Sequence, residues 1–331
     1  MRIVALEEHF VAPDVVARID PALSQRRGFP APGVVWGQAI KRGELADLGP
    51  TRIADMDAAG ISVQVLSVSG PGADLVEGTA GVQLARDYND ALARAVAAHP
   101  GRLAGFAHLP MLSPDAAADE LERCVRDLHF HGALINGLTA GKCLDHPSFD
   151  PILARAAALE VPIYIHPGIA EEPVRRVYYD GLPGMMSFAM ATSAWGWHIE
   201  TAVQALRLVL SGALDRHRKL NIIIGHMGEA IPFMLARCEQ VLAAEAAKVL
   251  QRTVTQTILD QMWITTSGFF TVPPFLNALE TFGADRILFS VDYPFAANKT
   301  GRAFLDTLPV SPADRTKIAH GNADKLLRLP A

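Results

Sequence analysis

Three cysteines in 331 residues, at positions 124, 143 and 238, are odd in number, far apart and in no CxxC spacing. That pattern speaks against a disulfide framework or a thiolate zinc site, and free thiols in a reducing compartment are expected. No apolar run approaches the roughly 20 residues that a membrane helix needs. Lys and Arg are scattered, and a formal net charge of -5 gives no electrostatic footprint for nucleic acid. The opening MRIVALEEHF has one Arg, a short apolar run and two glutamates, which fits neither a signal nor a transit peptide, so cytoplasmic residence is expected. No GxGxxG follows the first apolar run, which removes the main support for a dinucleotide site. There is no internal repeat and no low-complexity segment.

Half of the residues are hydrophobic and a fifth charged, enough to bury a large core. Short β-branched or apolar runs alternate with longer stretches of helical spacing. Strands are expected at 3–7, 63–68, 103–108, 133–136, 162–166, 221–226, 262–267 and 286–292. Continuous apolar runs such as Ile222-Ile223-Ile224 suit parallel strands buried on both faces. Helices are expected at 81–99, 115–128, 150–159, 200–217 and 273–282, several opened by Pro or closed by Gly. Eight strands alternating with helices predict a single-domain (β/α)8 barrel over 1–331. Two long connections, 11–50 and 168–199, follow strands 1 and 5 on the face where barrel active sites sit. They carry Gly33, Trp36, Tyr178, Tyr179, Phe188, Trp195 and Trp197, expected as lids with aromatic walls.

Polar residues gather where strands would leave the barrel. The first run ends in Glu7-Glu8-His9, the fifth in His166, the sixth in His226 with Glu229 three residues on, and the eighth in Asp292. Residues i and i+2 of a strand share a side, so Glu7 and His9 point together while Glu8 points away. Imidazole and carboxylate ligands without thiolate suit Zn, Mn or a similar divalent ion, with room for water or substrate. Glu229, at the start of the expected helix after strand six, would orient the imidazole of His226.

These pieces carry a resemblance. ALEEHF, RIADMDAAGI, GRLAGFAHLP, HGALINGL, PIYIHPG, NIIIGHMGEAIPFMLAR, ITTSGFF and GADRILFSVDYPF, in order along nearly the whole chain, resemble the amidohydrolase superfamily. The likeness is to its branch of metal-dependent, non-oxidative decarboxylases acting on hydroxybenzoates and related aromatic acids. It implies one divalent metal, Zn or Mn, on Glu7, His9, His166 and Asp292. It also implies Asp292 as proton donor, a supporting pair His226 and Glu229, and substrate contacts from Arg237 and Asn136. Glu-x-His in place of His-x-His, and no lysine at the end of strand four, point to that branch and to one metal. A homodimer or homotetramer is implied as well. His108 stands where the family usually has an apolar residue, read as a packing or supporting change. The same residues could instead activate a metal-bound water for hydrolysis of a lactone or amide, and a non-catalytic small-molecule binder is a third reading.

Overall fold

Among the described residues, eight strands run parallel and in chain order: β1 Val4–Phe10, β2 Val63–Val68, β3 Leu103–Gly105, β4 Ala133–Asn136, β5 Ile163–His166, β6 Ile222–Ile224, β7 Met262–Thr265 and β8 Ile287–Leu288. This is a computed structural model, and it describes residues 1–30, 42–70 and 72–330. Gly33 and Trp36 lie outside the described residues. Continuous ladders join β1 to β3 and β4 to β8. Between them, Ala107 donates to Gly132 at 2.8 Å and Leu134 to Ala107 at 3.2 Å, so β3 and β4 are linked by a short parallel bridge. On the other side His9 N donates to Tyr293 O at 2.7 Å and Glu7 N to Ser290 Oγ at 2.7 Å.

The packing has two apolar shells. Val4, Leu6, Val63, Val65, Ala104, Phe106, Leu134, Tyr164, Ile223, Trp263 and Leu288 form one cluster to which every strand contributes, together with Ala323 and Leu327 of the terminal helix Asn322–Leu327. This is the barrel interior, plugged at its base. The alternate residues, among them Ile3, Ala5, Leu66, Ile135, Ile163, Ile165 and Ile222, pack outward with Leu84, Leu121, Ile152, Leu208 and Phe275 of the surrounding helices. Both faces of each strand are therefore dry, which is why the strands read as unbroken apolar runs.

Several boundaries differ from the expectations. β1 extends through His9 to Phe10, while β3, β6, β7 and β8 are shorter at their C-terminal ends, where the chain leaves the ladder to form the mouth. The 200–217 segment divides at Gly212, φ +73°, into Gly196–Leu210 and Ala213–Arg216. The two long connections hold short helices of their own, such as Pro21–Arg26 and Glu172–Tyr178, and Arg27 ties them together by pairing with Glu171 and donating to Leu138 O. No helix among the described residues is long and apolar enough to cross a membrane.

Candidate metal centre and active site

The placement of Glu7 depends on an irregularity in β1. Ala5 pairs with Gln64 and Glu8 with Leu66, so Leu6 and Glu7 together oppose the single residue Val65. Without that bulge, alternation from the inward Val4 and Leu6 would turn Glu7 and His9 outward. One extra residue re-aims both into the barrel. Glu8 and Phe10 then face away, as the alternation beyond the bulge requires.

A polar layer caps the apolar interior at this level. Glu7 Oε2 accepts from the hydroxyls of Tyr164 and Ser267, both fully buried, and Thr265 Oγ1 lies 2.9 Å from the Tyr164 hydroxyl and 2.6 Å from Ser267 Oγ. The backbone of Gly225 closes the cradle: a Cβ there would sit 2.8 Å from Glu7 Oε2 and 3.1 Å from the Tyr164 hydroxyl. Oε1 is left facing the mouth. His166 Nε2 lies 3.3 Å from it, His226 Nε2 3.7 Å and His9 Nε2 4.0 Å, while His9 Nε2 is 3.0 Å from Asp292 Oδ1. Despite these short approaches, Glu7 Oε1 and both ring nitrogens of His9 are buried without a hydrogen-bond partner. Burial by itself would raise the pKa of Glu7, but His226, His166 and His9 outweigh it and hold the group well below the usual carboxylate range.

These atoms fit a cation. The Nδ1 of His166 is 2.9 Å from Pro167 O; a carbonyl only accepts, so Nδ1 carries a hydrogen and Nε2 is the nitrogen turned toward Glu7 Oε1. Positive charge, as a proton or a metal ion, is what that nitrogen and the carboxylate oxygen 3.3 Å away call for. A ligating histidine ordinarily donates its other N–H to a backbone carbonyl in this way. Glu7, His9 and His166 bring ligand atoms within 4.8 Å of one another, and Asp292 adds a carboxylate oxygen beside His9. The set is nitrogen and oxygen only, suited to Zn or Mn.

Glu8 and Arg52 brace this cluster from behind. The buried Glu8 carboxylate accepts from Val291 N at 2.9 Å on one oxygen and from Tyr293 N at 3.0 Å on the other, holding the backbone N–H groups of the residues on both sides of Asp292. That residue has φ +70°, a conformation aspartate adopts more readily than most side chains. Arg52, completely buried, donates to His9 O at 2.7 Å and Gln64 Oε1 at 3.1 Å and lies over the Tyr293 ring at 4.8 Å.

His226 and Glu229 do pair, with Nδ1 and Oε1 2.7 Å apart, but the expected helical start is corrected. The helix begins at Ile231, and residues 226 to 230 all have positive φ, between 49° and 85°. A left-handed turn, not an α-helix, brings positions i and i+3 together. A third member was missed in the sequence: His198 Nδ1 lies 2.6 Å from Glu229 Oε2, and its Nε2 3.0 Å from Ser193 O. His198, His226 and Glu229 have the composition of a second metal cluster, yet contacts of 2.6 and 2.7 Å are hydrogen bonds with a proton on each line. The burial of His226 would lower its pKa, but Glu229 and Glu7 prevail and push it up to about 10.

Aromatic rings wall the centre. Phe295 stands edge-on to His9, Trp197 to His166, and Phe269 to both His226 and His198, at centroid distances of 5.4, 6.2, 5.6 and 5.1 Å. Of the aromatics expected on lids, Trp197 reaches the centre, Tyr179 packs with Ala170 and Ala191, and Tyr178 and Trp195 are exposed. Phe269 and Phe295 lacked a sequence signal beyond lying just past strands seven and eight. Asn136 ends β4 in register with His166, at the mouth. Arg237 is not brought to the cluster within one chain: it is exposed on helix Ile231–Ala246 and donates to Gln240. His108 is buried and structural; its Nε2 accepts from Ala73 N at 2.9 Å, and burial lowers its pKa.

The sequence profile of the amidohydrolase family matches residues 9–329. The chain belongs to the amidohydrolase family. It is 38% identical to a gamma-resorcylate decarboxylase of Rhizobium sp. strain MTP-10005 over 336 residues, covering 98% of each chain. Its fold matches that of a 2,6-dihydroxybenzoate decarboxylase complexed with 2,6-dihydroxybenzoate at TM-score 0.86 and 36% identity, over 99% of this chain and 100% of the other. It also matches a dihydroxybenzoic acid decarboxylase from Polaromonas sp. JS666 with bound manganese and the inhibitor 2-nitroresorcinol, at TM-score 0.85 and 34% identity, over 99% and 97% of the two chains. Amidohydrolases of this kind are (β/α)8 barrels, in keeping with the eight-strand interior described above.

Proposed function

We propose that this amidohydrolase catalyses the non-oxidative decarboxylation of a hydroxybenzoate-type acid with one divalent metal, Mn or Zn, held by Glu7, His9, His166 and Asp292. The observation that carries the reading is the convergence of Glu7 Oε1 and His9 Nε2, both buried without a hydrogen-bond partner, with His166 Nε2 3.3 Å from Glu7 Oε1, at a mouth walled by Trp197, Phe269 and Phe295. Full-length similarity to decarboxylases of dihydroxybenzoates supports this chemistry over hydrolysis. When bound, the metal would supply Lewis-acid charge to the phenolate and carboxylate of an ortho-hydroxybenzoate.

The chain's own residues do the rest. The aromatic walls hold the ring and exclude water. Asp292, 3.0 Å from His9 Nε2 and gripped by Glu8, is the residue placed to pass a proton to the ring carbon bearing the carboxylate. The bond to the carboxylate then breaks, its electron pair restores the aromatic ring, and CO2 leaves, so each turnover consumes one proton. His226, anchored to Glu229 at 2.7 Å, turns its Nε2 toward the pocket, and Asn136 lines the pocket next to His166. The reading includes a cytoplasmic homodimer or homotetramer; the free cysteines and the exposed Phe233, Met234 and Val241 of helix Ile231–Ala246 support it, and light scattering checks the assembly.

The test is turnover of 2,6-dihydroxybenzoate and a panel of hydroxybenzoates and lactones by manganese-loaded protein in deuterated water. CO2 release with deuterium entering the vacated ring carbon is expected. Lactone opening without CO2 would replace the reading with hydrolysis by a metal-activated water.

A further inference from the structure

Glu229 has both carboxylate oxygens committed, one to each of two imidazoles, and the two are not equivalent. His226 reaches the ligand cluster; His198 lies outside it, at the start of helix Gly196–Leu210 in the long connection after β5. We propose that His198 is a positioning residue that locks His226 through Glu229, so that Nε2 alone of His226 faces the cluster. This rests on the decarboxylase reading for its kinetic consequences, though not for its geometry.

The protons can be counted from the partners. His198 Nε2 is 3.0 Å from Ser193 O, and because a carbonyl only accepts, that nitrogen carries a hydrogen. The line of 2.6 Å from His198 Nδ1 to Glu229 Oε2 holds a second proton, since two bare acceptors would repel at that distance. Two protons on His198 and Glu229 make the pair electrically neutral, whichever atom of the short line holds the second one. The other oxygen, Oε1, then takes the Nδ1 hydrogen of His226 at 2.7 Å. With Nδ1 so engaged, Nε2 is the atom that remains toward Glu7 Oε1, 3.7 Å away.

Rigidity follows from the same contacts. A carboxylate held at one oxygen can pivot about that bond; held at both, it cannot. His198 is itself wedged edge-on against His226 and Phe269, with centroids 4.9 and 5.1 Å away. The backbone beneath it has no slack, because a Cβ on Gly196 would lie 2.4 Å from Ala191 O. Removing the His198 donor would strand one oxygen of a fully buried carboxylate, and such a group turns to seek another partner. His226 would then lose its anchor. The left-handed run through 226 to 230 makes this lock necessary, since that backbone lacks the ladder of an α-helix to hold the two side chains in register.

Three variants separate the lock from ring packing. His198→Asn keeps an amide N–H near the position of Nδ1, His198→Gln offers one nearer Nε2, and His198→Phe keeps only the ring. With manganese-loaded protein and 2,6-dihydroxybenzoate, the Gln and Phe variants are expected to lose about 10–100-fold in kcat while KM and bound metal stay within about twofold, and Asn recovers to within about threefold of the parent. An equal loss in all three, or a loss of kcat that tracks loss of metal, overturns the proposal. A second readout does not depend on turnover. In zinc-loaded protein, proton NMR should show two downfield, exchange-protected imidazole N–H signals, one for each Glu229 contact. His198→Phe should remove one and shift or broaden the other. If the His226 signal is unchanged in that variant, His198 does not position it. If the parent shows both signals yet releases no CO2 from any hydroxybenzoate, the decarboxylase reading falls and the lock stands.

Discussion

The two ends of the barrel are built from the same alternating strands and solve opposite problems. At the base, Val4, Val63, Leu134 and Leu288 meet Ala323 and Leu327 in a dry plug. Around it Arg2 pairs with Asp324, and Lys219 and Arg328 with Glu160. At the mouth, further along the same strands or just past their ends, Glu7, His166, Ser267 and Ser290 take the place of the apolar residues. There buried atoms lack partners, and His226, Met227, Glu229 and Asp292 sit at positive φ. The base is arranged to be stable, whereas the mouth holds unpartnered buried polar atoms and strained backbone, features that gather at functional sites. Substitutions at the two ends should therefore separate stability from activity.

The largest effect is expected at the mouth. Asp292→Asn removes the proposed proton donor and alters a proposed metal ligand while keeping its size, and turnover of 2,6-dihydroxybenzoate should fall on the order of 10²–10⁴-fold. The melting temperature of the metal-free protein should stay near the parent's, because Asp292 makes no packing contribution of the kind made at the base. Steady-state kinetics beside a thermal melt checks this; a collapse of stability with activity would erase the contrast between the ends.

The mirror-image change is Leu327→Ala. Truncating a leucine 3% exposed in the plug leaves a cavity that costs about 2–5 kcal/mol, a drop on the order of 10 °C in Tm. Below the melt, kcat and KM for the same acid should match the parent. Should kcat change as well, the base communicates with the mouth and the two ends are not separable.

A subtler break comes from Gly225→Ala, whose methyl would meet Glu7 Oε2 at 2.8 Å. Glu7 must give way, and since its other oxygen belongs to the ligand cluster, metal affinity should weaken by about 10–100-fold with little change in Tm of the metal-free protein. Titration with manganese reads it directly. Unchanged affinity would mean that Glu7 is not held by this cradle.

How these ends could be read in the sequence also differs. The plug and the helical shell follow from apolar periodicity, because a strand buried on both faces announces itself residue by residue. The proposed ligands Glu7, His9, His166 and Asp292 stood in the sequence as polar strand ends that a barrel must bring together. What turns Glu7 inward was not: a bulge is a matter of register between β1 and β2, and no spacing within residues 3 to 10 reveals it. The helix expected from His226 onward was wrong for a similar reason, since Met227, Glu229 and Ala230 are residue types that give no hint of positive φ. His198 was hidden because its partner Glu229 lies 31 positions away on another element. Phe269 and Phe295 looked like ordinary loop aromatics until the strands were closed into a barrel.

The smallest expected effect tests whether strain at the mouth serves the site or merely accompanies it. Ala230 has φ +65° and is exposed, so its methyl packs against nothing that a glycine would forfeit. A left-handed alanine costs about 1–2 kcal/mol relative to glycine in the folded state, partly offset by the greater freedom glycine has in the unfolded chain. Ala230→Gly should therefore raise stability by about 0.5–1 kcal/mol, a Tm increase of about 1–4 °C. The informative part is kcat. If it holds while Tm rises, the left-handed run is only the path by which Glu229 reaches His226, and the hydrogen bonds of His198 and His226 suffice to fix the carboxylate. If kcat falls as Tm rises, the stiffness of alanine at this position is part of what holds Glu229 in place, and the mouth has traded stability for geometry at a single residue.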